Sequence, residues 1–180
     1  GKVTISNYDS NGKLVSTITG EYRNGKIYGN ATIITYDENG KKISEYTGEV
    51  VDGKPNGKGV LITYSKDGKV LSKYTGNFKN DLMSGQGKKV YKDGSIYEGS
   101  WLNGVYSGLG VLSWSNKNKY DGNFSSGSAS GKGTFYRNGV MFFEGSFDGT
   151  GTSSSATTWL LPDGRFARRV NYSDGSIFEI

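Results

Sequence analysis

Histidine and cysteine are both absent from this 180-residue chain. No Cys-His metal site, no catalytic histidine or cysteine and no disulfide can form. Serine is plentiful, but a Ser-His-Asp triad is impossible without histidine. Proline occurs only 2 times, which excludes collagen and proline-rich linkers. No apolar run reaches the roughly 18 residues that a membrane-spanning helix needs. The amino terminus shows neither a starting methionine nor a charged-then-apolar leader, so a processed protein or an excised fragment is expected. The lack of cysteine leaves localisation open and slightly favours a bacterial exported, cell-surface or membrane-associated protein over a cytoplasmic one.

Glycine and tyrosine are abundant instead, with 29 and 13 copies. Hydrophobic residues make up only 33% of the chain, close to the composition of disordered proteins. The net charge of only +5 and the many aromatics favour a folded chain with a thin core.

The glycines and aromatics recur in register. Aromatic-x-Gly units occur at Tyr46-Thr47-Gly48, Tyr74-Thr75-Gly76, Tyr97-Glu98-Gly99, Tyr120-Asp121-Gly122 and Phe143-Glu144-Gly145, with Ile18-Thr19-Gly20 as a weaker copy. Their starts are separated by 28, 28, 23, 23 and 23 residues. Two residues past each glycine stands a large side chain: Tyr22, Val50, Phe78, Trp101, Phe124 or Phe147. A Gly-x-Gly follows in four copies, at Gly57, Gly85, Gly108 and Gly131. Short segments rich in Tyr, Phe, Ile, Val and Thr are strand formers. Dipeptides such as Asn24-Gly25, Asp52-Gly53, Asn103-Gly104 and Asn138-Gly139 supply the positive φ angles of tight hairpin turns. Each repeat is therefore expected to be a β-hairpin, and consecutive hairpins to pair in one antiparallel meander. In the 28-residue type the extra residues fall as two and three on the arms of one hairpin. The odd residue implies a bulge. Glycine weakens a strand, so its place beside the aromatics needs a reason: a missing side chain lets a ring lie flat across the backbone. Stacked repeats are then expected to form aromatic rows, one of Tyr46, Tyr74, Tyr97, Tyr120 and Phe143, another of Phe78, Trp101, Phe124 and Phe147.

The segment Tyr97-Glu98-Gly99-Ser100-Trp101-Leu102-Asn103-Gly104, followed by Gly108-Leu109-Gly110 at a spacing of 23, resembles the MORN repeat. The resemblance is best over residues 74–147. Residues 8–73, with their longer hairpins, resemble the bacterial variant of that repeat. Asp81 departs from the pattern at a turn glycine, Ile18 at the leading aromatic and Ala31 at the second glycine of Gly-x-Gly. MORN-type repeats are thus assigned to residues 1–148, of the 28-residue type to about 73 and the 23-residue type from 74. Residues 149–158 read as a loop or degenerate repeat, and 159–180 as a C-terminal hairpin or partial repeat. The resemblance implies an all-β fold, an elongated, twisted single-layer antiparallel meander of stacked hairpins with a groove. It implies no catalytic activity and no cofactor. It also implies roles as scaffold, dimerisation module or phospholipid binder.

Three functional classes remain. A scaffold would bind a protein partner or itself through unpaired sheet edges, near Lys2-Val3-Thr4-Ile5 and Ser176 to Ile180. An acidic phospholipid surface could use the basic excess between residues 46 and 90, where 8 basic residues stand against 4 acidic ones. A cell-wall glycan could stack on rings such as Trp101, Trp114 and Trp159. The candidate binding surface comprises Tyr46, Tyr74, Tyr97, Tyr120, Trp101, Trp114, Lys54, Lys58, Lys66, Lys69, Lys88 and Lys89. An enzyme is the weakest reading. The carboxylates Glu98 and Asp121 occupy the variable position of Tyr-x-Gly, where sister repeats carry Thr47 and Thr75. No phosphate-binding Gly-x-x-x-x-Gly-Lys-Ser/Thr is present. The expected lack of helix argues against the common major-groove readers of nucleic acid.

Overall fold

Strand formers and tight-turn dipeptides alternate along the chain, and a computed structural model shows them folded into β-hairpins. It describes residues 1–147, 158–169 and 177–179, with backbone alone at Trp159, 167–169 and 177–179. Of the stretch 149–158, all but Thr158 lies outside the described residues, as do 170–176 and 180 of the closing hairpin. Among the described residues all regular structure is β-strand.

The chain divides into two compact units, Gly1–Lys92 and Asp93–Ile180. The first holds β1 (Lys2–Tyr8), β2 (Leu14–Arg23), β3 (Lys26–Tyr36), β4 (Lys42–Val51), β5 (Lys54–Tyr64), β6 (Val70–Lys79) and β7 (Leu82–Tyr91). The second holds β8 (Ile96–Leu102), β9 (Val105–Ser113), β10 (Lys119–Ser125), β11 (Ser128–Arg137) and β12 (Val140–Phe147). Within each unit the spatial order is the chain order and neighbours are antiparallel, as a hairpin meander requires. A separate three-stranded sheet follows, of β13 (Thr158–Leu160), β14 (Phe166–Arg169) and β15 (Ile177–Glu179).

Two kinds of turn close the hairpins. Asn24-Gly25, Asp52-Gly53, Asn103-Gly104, Ser126-Gly127 and Asn138-Gly139 hold both residues at positive φ. The twist of such two-residue turns matches that of the strands. At β6–β7 the pair is Asn80-Asp81, so Asp81 sits at φ 71° without glycine's freedom. Longer turns at Asp9–Lys13 and Asp37–Lys41 are organised by their leading aspartate. Asp9 accepts the backbone N–H of Asn11 and Lys13, and Asp37 those of Asn39 and Lys41, all at 2.9 Å. Lys13 Nζ then donates to the Glu38 carbonyl at 3.2 Å, and Lys41 Nζ to that of Lys66 at 3.0 Å. Each turn is thereby tied to the next.

The expected bulge is present in every 28-residue hairpin. The register slips beside Tyr8, Tyr36 and Tyr64, leaving Val15, Ile43 and Leu71 without a partner across the ladder. A second irregularity recurs at Gly-x-Gly. Gly48 faces Gly59 but Val50 faces Pro55, and the later copies repeat this. The first glycine bends the strand, with φ of 107°, 97°, 73° and 72° at Gly57, Gly85, Gly108 and Gly131.

The second glycine makes room for a ring. Tyr46 lies across Gly48 and Gly59, where added Cβ atoms would stand 2.7 Å from its hydroxyl and 2.6 Å from its Cζ. Tyr74, Tyr97 and Tyr120 repeat the arrangement. Each hydroxyl donates to the carbonyl three residues on, at a residue the ladder to the next strand skips. The distances are 2.6 Å to Glu49, 2.9 Å to Asn77, 2.8 Å to Ser100 and 3.0 Å to Asn123. Phe78 then wedges edge-on between Tyr46 at 4.9 Å and Tyr74 at 5.1 Å, and Phe124 between Tyr97 at 5.0 Å and Tyr120 at 5.1 Å. Edge-to-face pairs add about 0.5–1.5 kcal/mol beyond area burial. The two expected rows interleave. Leu61 stands between Tyr46 and Tyr74 in the register, and Leu112 between Tyr97 and Tyr120, so the tyrosines connect through phenylalanine. In the first repeat Ile18 supplies no ring, and Ala31 fills the space opposite Gly20.

Candidate interaction surfaces

Successive strand residues point to opposite faces, so the residue between tyrosine and glycine points away from the ring. In the first unit the register aligns Thr47, Val60, Thr75 and Lys88 in one row. Thr4, Thr19 and Thr32 continue it, and the hydroxyls of Thr4 and Thr19 lie 2.8 Å apart. The adjoining row on that face is Glu45, Ile62, Lys73 and Val90, and Lys58 opposes Asn77. Thr47, Lys58, Val60, Thr75, Asn77 and Gln86 border an open groove floored by the backbone of Gly48, Gly59 and Gly76. In the second unit the corresponding row is Glu98, Val111, Asp121, Thr134 and Glu144. Its three carboxylates are exposed. Val111 separates Glu98 from Asp121 by two strand spacings, about 10 Å, so they form no acid–base pair. Among the described residues no three acidic side chains converge to hold a metal ion.

The rings offered as binding surface are core instead. Tyr46, Tyr74, Tyr97, Tyr120 and Trp101 are at most 4% exposed, because glycine opposite each tyrosine lets the ring sink onto the backbone. Burial pushes the four phenols up to about 12.

The six lysines do not share one patch. Lys54 and Lys66 flank opposite ends of β5, whose 11 residues span about 35 Å. That far exceeds a Debye length of about 8 Å. Lys54 reaches Asp81 at 3.9 Å, and Lys69 pairs with Asp67 at 2.9 Å within its own turn. Lys88 and Lys89 are adjacent in β7 and point to opposite faces. Lys89 is half-buried, 5.1 Å from the centre of the Tyr91 ring, and desolvation holds its ammonium below the usual lysine range. Lys58 and Lys88 therefore share the outward face with Lys73, which the candidate set lacks.

Trp114 is covered by the chain's own C-terminal part. Its indole Nε1 donates to the Pro162 carbonyl at 3.1 Å. Asn116 donates to the Asp163 carbonyl at 3.2 Å and Asn118 to that of Gly164 at 3.0 Å. A Cβ on Gly164 would fall 2.6 Å from the indole Cγ. Phe166 is buried against Phe143 at 5.1 Å, Phe142 at 5.3 Å and Phe135 at 5.5 Å.

The repeat boundaries are matched independently: the model of the MORN repeat fits residues 46–67, 74–96, 97–119 and 120–141, half of the chain. The chain belongs to the MORN-repeat family. Each matched MORN repeat begins on one of the four locked tyrosines. MORN repeats are generally associated with protein and membrane interactions. No curated protein matches the chain.

Thr47 and Thr75 hold the variable position of Tyr-x-Gly and Lys73 belongs to the basic excess; Val60, between the two threonines in the register, carries neither signal. The signal that finds them is the strand period of two, counted outward from each buried tyrosine.

Proposed function

We propose that this MORN-repeat protein is a non-catalytic scaffold that binds a protein partner, including further copies of itself. The observation that carries this reading is the unequal use of the two faces. The tyrosine face is filled by the protein's own core, while the opposite face presents side chains in straight rows, one strand spacing of about 4.8 Å apart. Two edges add backbone groups: among the described residues β1 pairs only with β2, and β12, with exposed Val140 and Met141, only with β11. Light scattering across a concentration series tests the proposal. A mass that rises with concentration, and falls back in a Val60→Glu, Thr75→Glu variant, supports it. A monomer at every concentration removes the self-association part.

A second reading is favoured by Lys58, Lys73 and Lys88 standing on one face of the first unit. Each basic group near an anionic membrane contributes about 1 kcal/mol, so three give a weak, salt-sensitive attachment to acidic phospholipid. Sedimentation with neutral and phosphatidylserine-containing liposomes tests it. Equal recovery from both removes the idea.

A further inference from the structure

We infer that the β9–β10 turn and the phenylalanine pocket beside it form a docking site for the C-terminal segment 158–166 of a second copy of this chain. The inference rests on the scaffold reading and names its partner.

The site is seen here holding the chain's own segment. Trp114, Asn116 and Asn118 stand at alternate positions of one turn, and each donates to a successive carbonyl, of Pro162, Asp163 and Gly164. Those bonds go to main chain, so they select a shape rather than a side chain. The shape is narrow. Gly164 takes φ 81° beneath the indole, where no Cβ fits. Two residues on, Phe166 enters a pocket of Phe135, Phe142 and Phe143. The ligand specified is a turn with glycine under the tryptophan and an aromatic anchor two residues later. Asp163-Gly164-Arg165-Phe166 meets that description; Asp121-Gly122-Asn123-Phe124 has the same spacing but lies inside β10, where Gly122 does not take a positive φ.

Two observations favour exchange between copies. Among the described residues the docked segment belongs to a sheet that pairs within itself, with no ladder to the meander, so it can leave as one piece. Residues 149–157, which join that segment to β12, run Gly-Thr-Gly-Thr-Ser-Ser-Ser-Ala-Thr, a sequence without a large apolar side chain. Exchange of an identical element is a low-cost route to dimers.

The chain lacks cysteine, so engineered thiols report the contact alone. Full chains carrying Asn116→Cys and full chains carrying Asp163→Cys, differently tagged, are mixed in urea, refolded together and treated with a short bis-maleimide. Mixing is done near millimolar concentration, the effective concentration against which a tethered segment competes. Exchange predicts cross-linked heterodimer about tenfold above that from Asn116→Cys mixed with Lys58→Cys, and its loss when Gly164→Val is added to the Asp163→Cys chain. No heterodimer above that control, with efficient internal cross-linking of the Asn116→Cys, Asp163→Cys double variant, shows a site filled only within the chain and overturns exchange. Absence of both cross-links overturns the docking itself. If light scattering still shows self-association in either case, the scaffold reading stands and this mode of it falls.

Discussion

Substituting Gly59 by alanine tests the central packing argument, because the chain contains its own control. An alanine Cβ there would lie 2.6 Å from Tyr46 Cζ, where an ordinary contact needs about 3.5 Å. The ring must withdraw by about 1 Å. It has nowhere to go, with Phe78 at 4.9 Å and its hydroxyl held by the Glu49 carbonyl at 2.6 Å. Overpacking costs about 1–3 kcal/mol and the lost hydrogen bond about 1 kcal/mol, so Gly59→Ala should destabilise the first unit by about 2–4 kcal/mol. Tyr46→Ile alone removes a buried ring and should cost about 2–3 kcal/mol. The double variant copies the first repeat, where Ile18 coexists with Ala31. It should cost little more than Tyr46→Ile alone, giving a favourable coupling of about 2 kcal/mol. Urea unfolding followed by circular dichroism measures all four corners of the cycle. Additivity within about 0.5 kcal/mol would refute the claim that glycine is there to admit the ring.

Alkali supplies a second test. Burial raises Tyr46, Tyr74, Tyr97 and Tyr120 from 10.0 to about 12, so the folded state keeps protons that the unfolded state releases near pH 10. Stability is intact below pH 10 and falls as pH rises from 10 toward 12; complete phenolate absorbance near pH 10 with the sheet spectrum unchanged contradicts this. Asp81→Gly should stabilise by about 1 kcal/mol, since φ 71° suits glycine and the ion pair lost to Lys54 is exposed and long at 3.9 Å; a lowered urea midpoint counts against it. Thr158→Val should stabilise the second unit by about 1 kcal/mol by removing a buried hydroxyl that has no partner among the described residues, and a loss of stability would mean that the hydroxyl is satisfied. Phe166→Ala should cost about 3 kcal/mol and loosen the C-terminal segment, seen as faster proteolysis after Arg165.

Much of this protein is local, and the sequence determined that part. The hairpins follow from strand formers punctuated by Asn-Gly and Asp-Gly. The bulges at Val15, Ile43 and Leu71 follow from an odd residue count, and the ring-over-glycine contact from a fixed offset within one hairpin. The MORN boundaries at 74, 97 and 120 were legible for the same reason, since a repeat contacts chiefly its neighbours. Three things were decided only by the tertiary structure. Tyr46, Tyr74, Tyr97 and Tyr120 turned from candidate ligands into core, because burial depends on what lies over a ring. The lysines separated onto margins and opposite faces, because a linear charge count carries no direction. The capture of residues 162–164 by Trp114, Asn116 and Asn118 joins segments 46–48 residues apart with no shared pattern. Periodicity records what each hairpin does for its neighbour; a contact made once, across that distance, leaves no period to read.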